Sequence, residues 1–349
     1  MRFSKLPDGK LPSVSLIICA YNEENVISTK IENSLELSYP KDKLEIIIVS
    51  DGSSDKTVLK AKEFVHFGIK VIEEKERKGK TNAQNLGVKN CSGDVVVFSD
   101  ANTILEKNSL RNIVECLVSS PQIGCASGLL IYKSTHNSYG EAKYQKFETT
   151  IKKLESFFCS LTGVNGAFYA IRKDDYVPLP PNIISDFVEP LEIYRTKGKI
   201  SVLCEGAVAF EEEPYKNNTK GIIARKSRIL LRGLYGLIYE KSLLNPLRYP
   251  KMSFELLSHK LVKWFSPVLL LLIYLSPLMC LNKIGLYLFA IFNLLLLFIL
   301  LGYLFFKKTR RLKIFNYLFY FLIVNIADLL GWFYFLNRQQ LSKWETKGR

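Results

Sequence analysis

The sequence is poor in the residues that build metal and disulfide centres. His occurs three times, at positions 66, 136 and 259, which excludes a His-rich metal site. The seven Cys (19, 91, 116, 125, 159, 204 and 280) are odd in number, form no CxxC pair and mostly sit in apolar runs. A disulfide scaffold and a zinc ribbon are thereby excluded, and a reducing compartment is expected. No GxxxxGK[ST] occurs, which excludes a P-loop, and no GxGxxG follows the first apolar run, which disfavours a Rossmann-type dinucleotide site. Met1–Lys10 contains no apolar stretch, so no secretory signal peptide is expected. Negative charge is also short, with 33 Asp+Glu against 48 Lys+Arg and a formal charge of +15. A hydrophobic fraction of 48% excludes a disordered chain, and 349 residues leave room for one large domain or two smaller ones.

Charge is absent from residues 264–282 and 284–306, and 314–337 holds only Asp328. A membrane-spanning helix needs about 20 apolar residues, so three spans are expected, with three buried helices of a soluble bundle as the alternative. Asn316, Asn325 and Asp328 are costly in lipid, so the third span should face its neighbours or lie partly at the interface. The positive charge is concentrated beside these runs. Residues 214–263 carry a net +9 and the segment 307–313 (KKTRRLK) a net +5, leaving the rest of the chain nearly neutral. A basic chain raises nucleic acid as a partner, but charge placed here suits anionic membrane lipid, and no nucleic acid is expected. The positive-inside rule puts 307–313 in the cytoplasm and, two spans back, the residues before 264 as well. Strict counting then puts the tail 338–349 outside, in mild conflict with its net +3. The expected division is a cytosolic domain over 1–213, basic interfacial helices over 214–263, three transmembrane helices over 264–337 and a tail.

Three short runs, Val14–Cys19, Leu44–Val49 and Val95–Phe98, are apolar on both faces and end in polar, turn-prone residues. Such runs read as buried parallel strands. Helical stretches near 24–37, 54–66 and 80–90 separate them, so the fold class is α/β with a doubly wound, mostly parallel sheet. Ligands of such sheets bind at the carboxyl ends of the strands. There the sequence places Ala20-Tyr21-Asn22-Glu23-Glu24, Ser50-Asp51-Gly52-Ser53 and Ser99-Asp100-Ala101-Asn102. Any one of these could be a helix cap, with Asp51 or Ser53 capping 54–66 and Asn102 a short turn. Acidic groups at three strand ends point instead to a site that uses a bridging divalent cation.

The ordered set VSLIICAYNEE, VSDGSSDKT, RKGKTNAQNLGVKNCSGDVVVFSDANT, GVNGAFYAIRK and ISDFVEPL resembles family 2 glycosyltransferases of the GT-A fold. Within them it is similar to membrane-bound synthases of the cellulose, chitin and hyaluronan type and their bacterial polysaccharide relatives. The resemblance continues through the basic helix 221–234 into the apolar runs and so covers nearly the whole chain. It implies a nucleoside diphosphate sugar donor, most simply UDP-linked, held by Tyr21, Glu23 and Asp51, with Lys80 near the diphosphate. Asp100-Ala101-Asn102 stands at the family's DXD position, which implies Mg²⁺ or Mn²⁺ on Asp100. Asn102 replaces the second acid and still offers a carbonyl oxygen. Asp186 matches the catalytic base of the ED motif, with Ser185 in place of the first acid. Gly163, Asn165 and Gly166 would line the acceptor site. Arg228 matches the Arg of QxxRW, a motif whose Gln and Trp are here Arg225 and Ile229, which weakens the case for a long polymer.

Each assignment has a structural alternative. Lys78 and Lys80 could be a solvated helix start, and Asp186 an N-cap with Glu189 completing a capping box. Residues 163–166 could be a plain hairpin turn, and Arg228 could face lipid phosphate from an interfacial helix. The expected activity is inverting transfer to a glycan or lipid-linked acceptor at the cytoplasmic face of a bacterial plasma membrane. Three spans are few for an export channel, so a channel would need a homo-oligomer or a partner. A sugar nucleotidyltransferase and a catalytically silent membrane scaffold are the competing classes.

Overall fold

The computed structural model describes residues 5–133, 139–212, 219–279, 283–305 and 313–338. The segment 307–312 and the tail from 339 lie outside the described residues. The first half alternates strand and helix: β1 (Val14–Ala20), α1 (Ile27–Leu35), β2 (Leu44–Asp51), α2 (Thr57–Lys62), β3 (Lys70–Glu74), α3 (Lys80–Lys89) and β4 (Val95–Asp100). Then follow β5 (Ile104–Leu105), α4 (Ser109–Val118), β6 (Ile123–Lys133), α5 (Tyr139–Phe158), β7 (Phe168–Arg172), α6 (Ser185–Lys197), β8 (Ile200–Glu212) and α7 (Thr219–Tyr239). The strands form one eight-stranded sheet in the order β3-β2-β1-β4-β7-β6-β8-β5. The pairs β1–β2, β2–β3 and β1–β4 are parallel, and β7 enters antiparallel between β4 and β6.

The apolar runs become strands because both faces of the sheet are covered. Leu16, Ile18, Ile48 and Val97 pack on one face with Leu110, Ile113 and Leu117 of α4. Ile17, Ile47, Val49, Val96 and Phe98 pack on the other with Ala83 of α3. Odd and even residues of one strand thus enter different layers, as a period of two requires. The expected helix over 54–66 is shorter, running as α2 with a separate 3-10 turn at Val65–Phe67. None of the six described Cys is in a disulfide.

A third apolar cluster joins this domain to the C-terminal helices. Phe187, Val188 and Leu191 of α6 meet Leu230, Leu234 and Leu237 of α7, Met252 of α8 (Pro250–Glu255), and Trp264. Trp264 ends α9 (Val262–Trp264), which continues α8 through a wider π turn at Leu256–Leu261. Beyond it lie α10 (Ser266–Met279), α11 (Lys283–Phe305) and α12 (Lys313–Leu336). Among the described residues α11 and α12 are long and apolar enough to cross a membrane, with mean hydropathies of 2.7 and 1.7 over their apolar windows.

The first expected span is described only through Met279, where α10 accounts for 14 residues, about 21 Å at the helical rise. It meets the helix over Pro250–Trp264 at a 60° bend, so among the described residues the candidate spans number two, or three if the bent pair counts as one. Pro267 cannot donate a backbone bond, which permits the bend. The Trp264 carbonyl at the bend accepts a hydrogen bond from Trp332 Nε1 of α12 at 2.8 Å. Two polar groups of α12 face protein: Asn325 and Asp328 are buried, and Ser266 Oγ donates to Asn325 Oδ1 at 3.0 Å, while the Asn316 side chain lies outside the described residues.

Candidate active site

The sheet reverses direction of growth at β1, with β2 and β3 on one side and β4 on the other. The register sets Ala20 beside Ser50 and Cys19 beside Asp100, so the carboxyl ends of three strands open into one crevice. Tyr21, Glu23, Asp51, Lys80, Asp100 and Asn102 all line it.

Local geometry fixes each of these groups. The chain leaves β1 through Asn22, whose φ of 53° is left-handed, a conformation Asn tolerates better than most residues. Asn22 Oδ1 accepts from the Ser54 amide at 2.8 Å, and the Glu23 amide donates to Thr57 Oγ1 at 2.8 Å. Asp55, not Asp51 or Ser53, receives the Thr57 amide at 2.9 Å at the start of α2. Asp51 is instead buried and accepts the backbone amides of Lys78 and Gly79, both at 2.8 Å. It therefore holds the turn that opens α3 and carries Lys80. Gly52 permits this approach: at φ +68° it has no side chain, and a Cβ there would lie 2.6 Å from Arg77 N. The Arg77 guanidinium stacks 3.8 Å from the centroid of the Tyr21 ring and lines the same crevice.

Lys80 Nζ donates to Asp100 Oδ1 at 2.5 Å and to the Gly166 carbonyl at 2.8 Å. Burial opposes its charge, but Asp100 and then Asp186 outweigh burial and hold the ammonium above the ordinary lysine range. It is therefore not a solvated helix start. Beneath the Asp100–Asn102 loop lies Lys30, which is fully buried. Its Nζ donates to Ser99 Oγ at 2.8 Å and to the Thr103 carbonyl at 2.6 Å, bracketing the loop. Burial pulls its pKa down to about 7, against the attraction of Asp100 and Glu211.

Asp186 lies in the first turn of α6 and makes no side-chain cap bond there, and no capping box forms with Glu189. Pro190 stands four residues on and has no N–H, so the Asp186 carbonyl lacks its usual helical partner. The Val164 amide takes that carbonyl at 2.8 Å. This bond ties the 163–166 loop to Asp186. The loop connects α5 to β7, so it is not a hairpin. Asn165 is fixed by its own amide donating to Ser127 Oγ at 2.9 Å and by Lys152 Nζ donating to its Oδ1 at 2.6 Å. Gly163, Asn165 and Asp186 line a second cleft of about 310 Å³, which also reaches α7 and α12. Gly166 links a residue of each cavity, its carbonyl on Lys80 and its α-carbon against Asp186.

Behind Asp186 runs a buried polar chain. Ser185 Oγ donates to Gln84 Oε1 at 2.5 Å, Gln84 Nε2 to Tyr169 OH at 2.8 Å, and Tyr169 OH to Glu189 Oε2 at 2.8 Å. Burial pushes the Glu189 carboxyl up to about 8, partly offset by the Tyr169 bond and reinforced by the Asp186 charge. At neutral pH Glu189 is then mostly a neutral acid, which spares Asp186 a second negative neighbour.

The family profile described as "Glycosyl transferase family 2" matches residues 15–176. The chain carries a family 2 glycosyl transferase domain. Over 183 residues it is 30% identical to a poly-β-1,6-N-acetyl-D-glucosamine synthase of Staphylococcus aureus, covering 50% of this chain and 43% of that protein. A Staphylococcus epidermidis protein of the same name is 27% identical over 168 residues, covering 47% of this chain and 40% of that one. The chain thus covers less than half the length of these relatives. The mannosyltransferase PcManGT of Pyrobaculum calidifontis, solved with GDP-Man and Mn²⁺, superposes with a TM-score of 0.62. At 20% identity over 94% of this chain and 90% of that one, this likeness bears on fold alone.

The family 2 match ends before Asp186, so the place of Asp186 rests on the loop and helix geometry above. Arg228 of α7 does not line the crevice of the family 2 domain among the described residues. Arg232, one turn further along, donates from Nη2 to the Ile183 carbonyl at 3.2 Å, and burial lowers its pKa against the attraction of Asp186. Arg77, Lys30, Lys152 and Arg232 escaped sequence reasoning, although Arg77 lies in the same RKGK run as Lys80 and adjacency was a usable signal.

The donor set fits a cation that arrives with its substrate. Among the described residues no cluster of three or more His, Cys, Asp or Glu could hold a metal unaided. Asp100 with the Asn102 side-chain oxygen supplies hard oxygen donors, and Mg²⁺ or Mn²⁺ commonly binds through one or two carboxylates plus substrate phosphates. The Lys80 ammonium on Asp100 already marks that carboxylate as a place for positive charge.

Proposed function

We propose that the chain is an inverting glycosyltransferase. It moves a sugar from a nucleoside diphosphate donor, UDP-linked in the simplest case, to a hydroxyl of a glycan or lipid-linked acceptor. It works at the cytoplasmic face of a membrane, in polysaccharide or glycolipid synthesis. One observation carries this reading: Asp186 lines the second cleft and is packed against Gly166, whose carbonyl holds Lys80 of the strand-end crevice. A base between a donor pocket and an acceptor cleft is what single displacement needs.

In the proposed step Asp186 takes the proton of the acceptor hydroxyl as that oxygen attacks the anomeric carbon. The bond from that carbon to the diphosphate breaks, and the nucleoside diphosphate leaves with the electron pair. Tyr21, Glu23 and Asp51 hold the nucleoside, Glu23 and Asp51 as carboxylate acceptors for its N–H and hydroxyl donors. The Arg77 guanidinium, already stacked on Tyr21, offers a planar cation at the same wall. Lys80 places positive charge beside the leaving diphosphate and, through the Gly166 carbonyl, fixes the loop that faces Asp186. Mg²⁺ or Mn²⁺, when bound at Asp100 with Asn102, neutralises charge on that diphosphate. Lys30 holds the Asp100 loop from beneath without touching substrate.

The test is to incubate membranes containing the protein with a panel of radiolabelled nucleotide sugars and extract lipid and polymer. Label should enter one of these fractions with wild type and not with Asp186→Asn. No transfer from any donor, despite measurable nucleoside diphosphate binding, would favour the silent scaffold.

A further inference from the structure

The second cleft carries more positive charge than transfer to a neutral acceptor calls for. It is lined by Lys152 of α5, Arg225 and Lys226 of α7, and Lys260 and Lys263 around the π turn, against the acids Glu148, Asp186 and Asp328. Lys263 is committed to Glu148 at 2.5 Å. Burial, reinforced by the nearby Lys260 charge, brings Lys152 down to about 8. Lys260 Nζ stands 5.6 Å from the centroid of the Phe187 ring and 3.6 Å from where a Gly163 Cβ would be, at the mouth of the loop that faces Asp186. Glu148, Glu155 and Asp186 attract the Lys152 charge, and an entering anion would add to that stabilisation in a partly desolvated cleft.

Apolar residues also line the cleft, beside Asp328, and some belong to the membrane part. Ile229, Trp264 and Val324 line it, and Val324 lies on α12, a helix long and apolar enough to cross a bilayer. A ligand entering here meets cations at the loop end and hydrocarbon-compatible surface at the other. A neutral glycan leaves the cations unused, and a free anion leaves the apolar surface unused.

We propose that this cleft binds an anionic lipid-linked acceptor, its phosphate or diphosphate on Lys152 and Lys260 and its hydrocarbon chain along Trp264 and α12. This rests on the glycosyltransferase reading and narrows its acceptor class. The anion sits beside the Asn165 side chain that Lys152 already orients, so the hydroxyl presented to Asp186 belongs to the group carried by that phosphate. Arg225 and Lys226 add long-range attraction for the headgroup on the α7 side.

The experiment uses the full chain in zwitterionic lipid nanodiscs and isothermal titration calorimetry. Dodecyl phosphate, dodecanol and inorganic phosphate are titrated separately, and a nucleoside diphosphate is titrated into the same samples. Dodecyl phosphate should bind at least tenfold more tightly than either dodecanol or inorganic phosphate. The Lys152→Gln, Lys260→Gln double variant should lose at least tenfold in dodecyl phosphate affinity while keeping its nucleoside diphosphate affinity. Lys260→Gln alone, a change on a half-buried side chain, should lose at least threefold and covers a failure of the double variant to fold. Equal binding of dodecanol would overturn phosphate recognition, and equal binding of inorganic phosphate would overturn the lipid part. Unchanged dodecyl phosphate affinity in both variants would overturn the assignment to these lysines. Dodecyl phosphate binding without nucleoside diphosphate binding would support the cleft assignment and sink the transferase reading instead.

Discussion

Gly166 and Asp186 are in such close contact that a β-carbon on Gly166 would lie 2.4 Å from Asp186 Oδ2. The carbonyl of the same glycine receives the Lys80 ammonium at 2.8 Å. A loop residue without a side chain thus sets the separation between the proposed base and the cation of the donor pocket. Gly166→Ala should displace the Asp186 carboxylate and lower the transfer rate by at least about tenfold, as small misplacements of reacting groups do. Nucleoside diphosphate affinity should change little. A Gly166→Ala enzyme with a wild-type rate would show that this contact does not position the base.

Asp186→Asn separates catalysis from capping. The Asp186 side chain makes no cap bond in α6, so the variant should melt with the wild type. Its transfer rate at saturating donor should fall by roughly 10²–10⁴-fold, the usual worth of a general base. A near-normal rate with unchanged Tm would refute the assignment.

Asp100→Ala should remove the gain in nucleoside diphosphate affinity that Mn²⁺ confers. It also releases Lys80 from its partner at 2.5 Å, so metal-free affinity should hold or rise slightly. Calorimetry with and without Mn²⁺ reads both. An undiminished Mn²⁺ effect, on the order of tenfold or about 1.4 kcal/mol, would remove Asp100 from the metal site.

The Glu189 carboxyl predicts a pH dependence of stability. Its pKa is raised from 4.5 to about 8 by burial. Its contribution to stability is therefore complete below pH 4.5 and is lost as pH rises toward 8, because the unfolded chain ionises first. Glu189→Gln can still accept the Tyr169 bond and removes this loss. The Tm of wild type relative to Glu189→Gln should fall between pH 5 and pH 8 by at least about 2 °C. A constant difference across that range would mean that Glu189 is charged in the folded protein.

Orientation is testable through α11, which is long enough to cross the membrane by itself. A reporter fused after residue 310 should be cytoplasmic, following the basic run KKTRRLK, and one near Asn282 should be external. A cytoplasmic catalytic domain then also requires the bent pair Pro250–Trp264 and Ser266–Met279 to cross once. The reverse reporter pattern would deny the site access to cytosolic donor.

The strands, their parallel pairing and the gathering of Tyr21, Asp51 and Asp100 at one edge followed from the sequence by itself. An apolar run buried on both faces must be a strand or a buried helix, length and β-branching separate the two, and all parallel strands end on the same side. The order of motifs then carried the family. Tertiary structure alone decided what each polar group touches. The bonds that matter join distant residues, Lys30 to Ser99 across 69 positions and Ser185 to Gln84 across 101, and no local periodicity encodes them. Asp51 turned out to hold a backbone turn rather than cap α2, and Arg232 came within the field of Asp186, because helix phase and loop approach are settled by packing. The first apolar run likewise has the composition of a span, but the helix before it meets it at a 60° bend beside Pro267 and the Trp264–Trp332 contact, and hydropathy does not register where a helix bends.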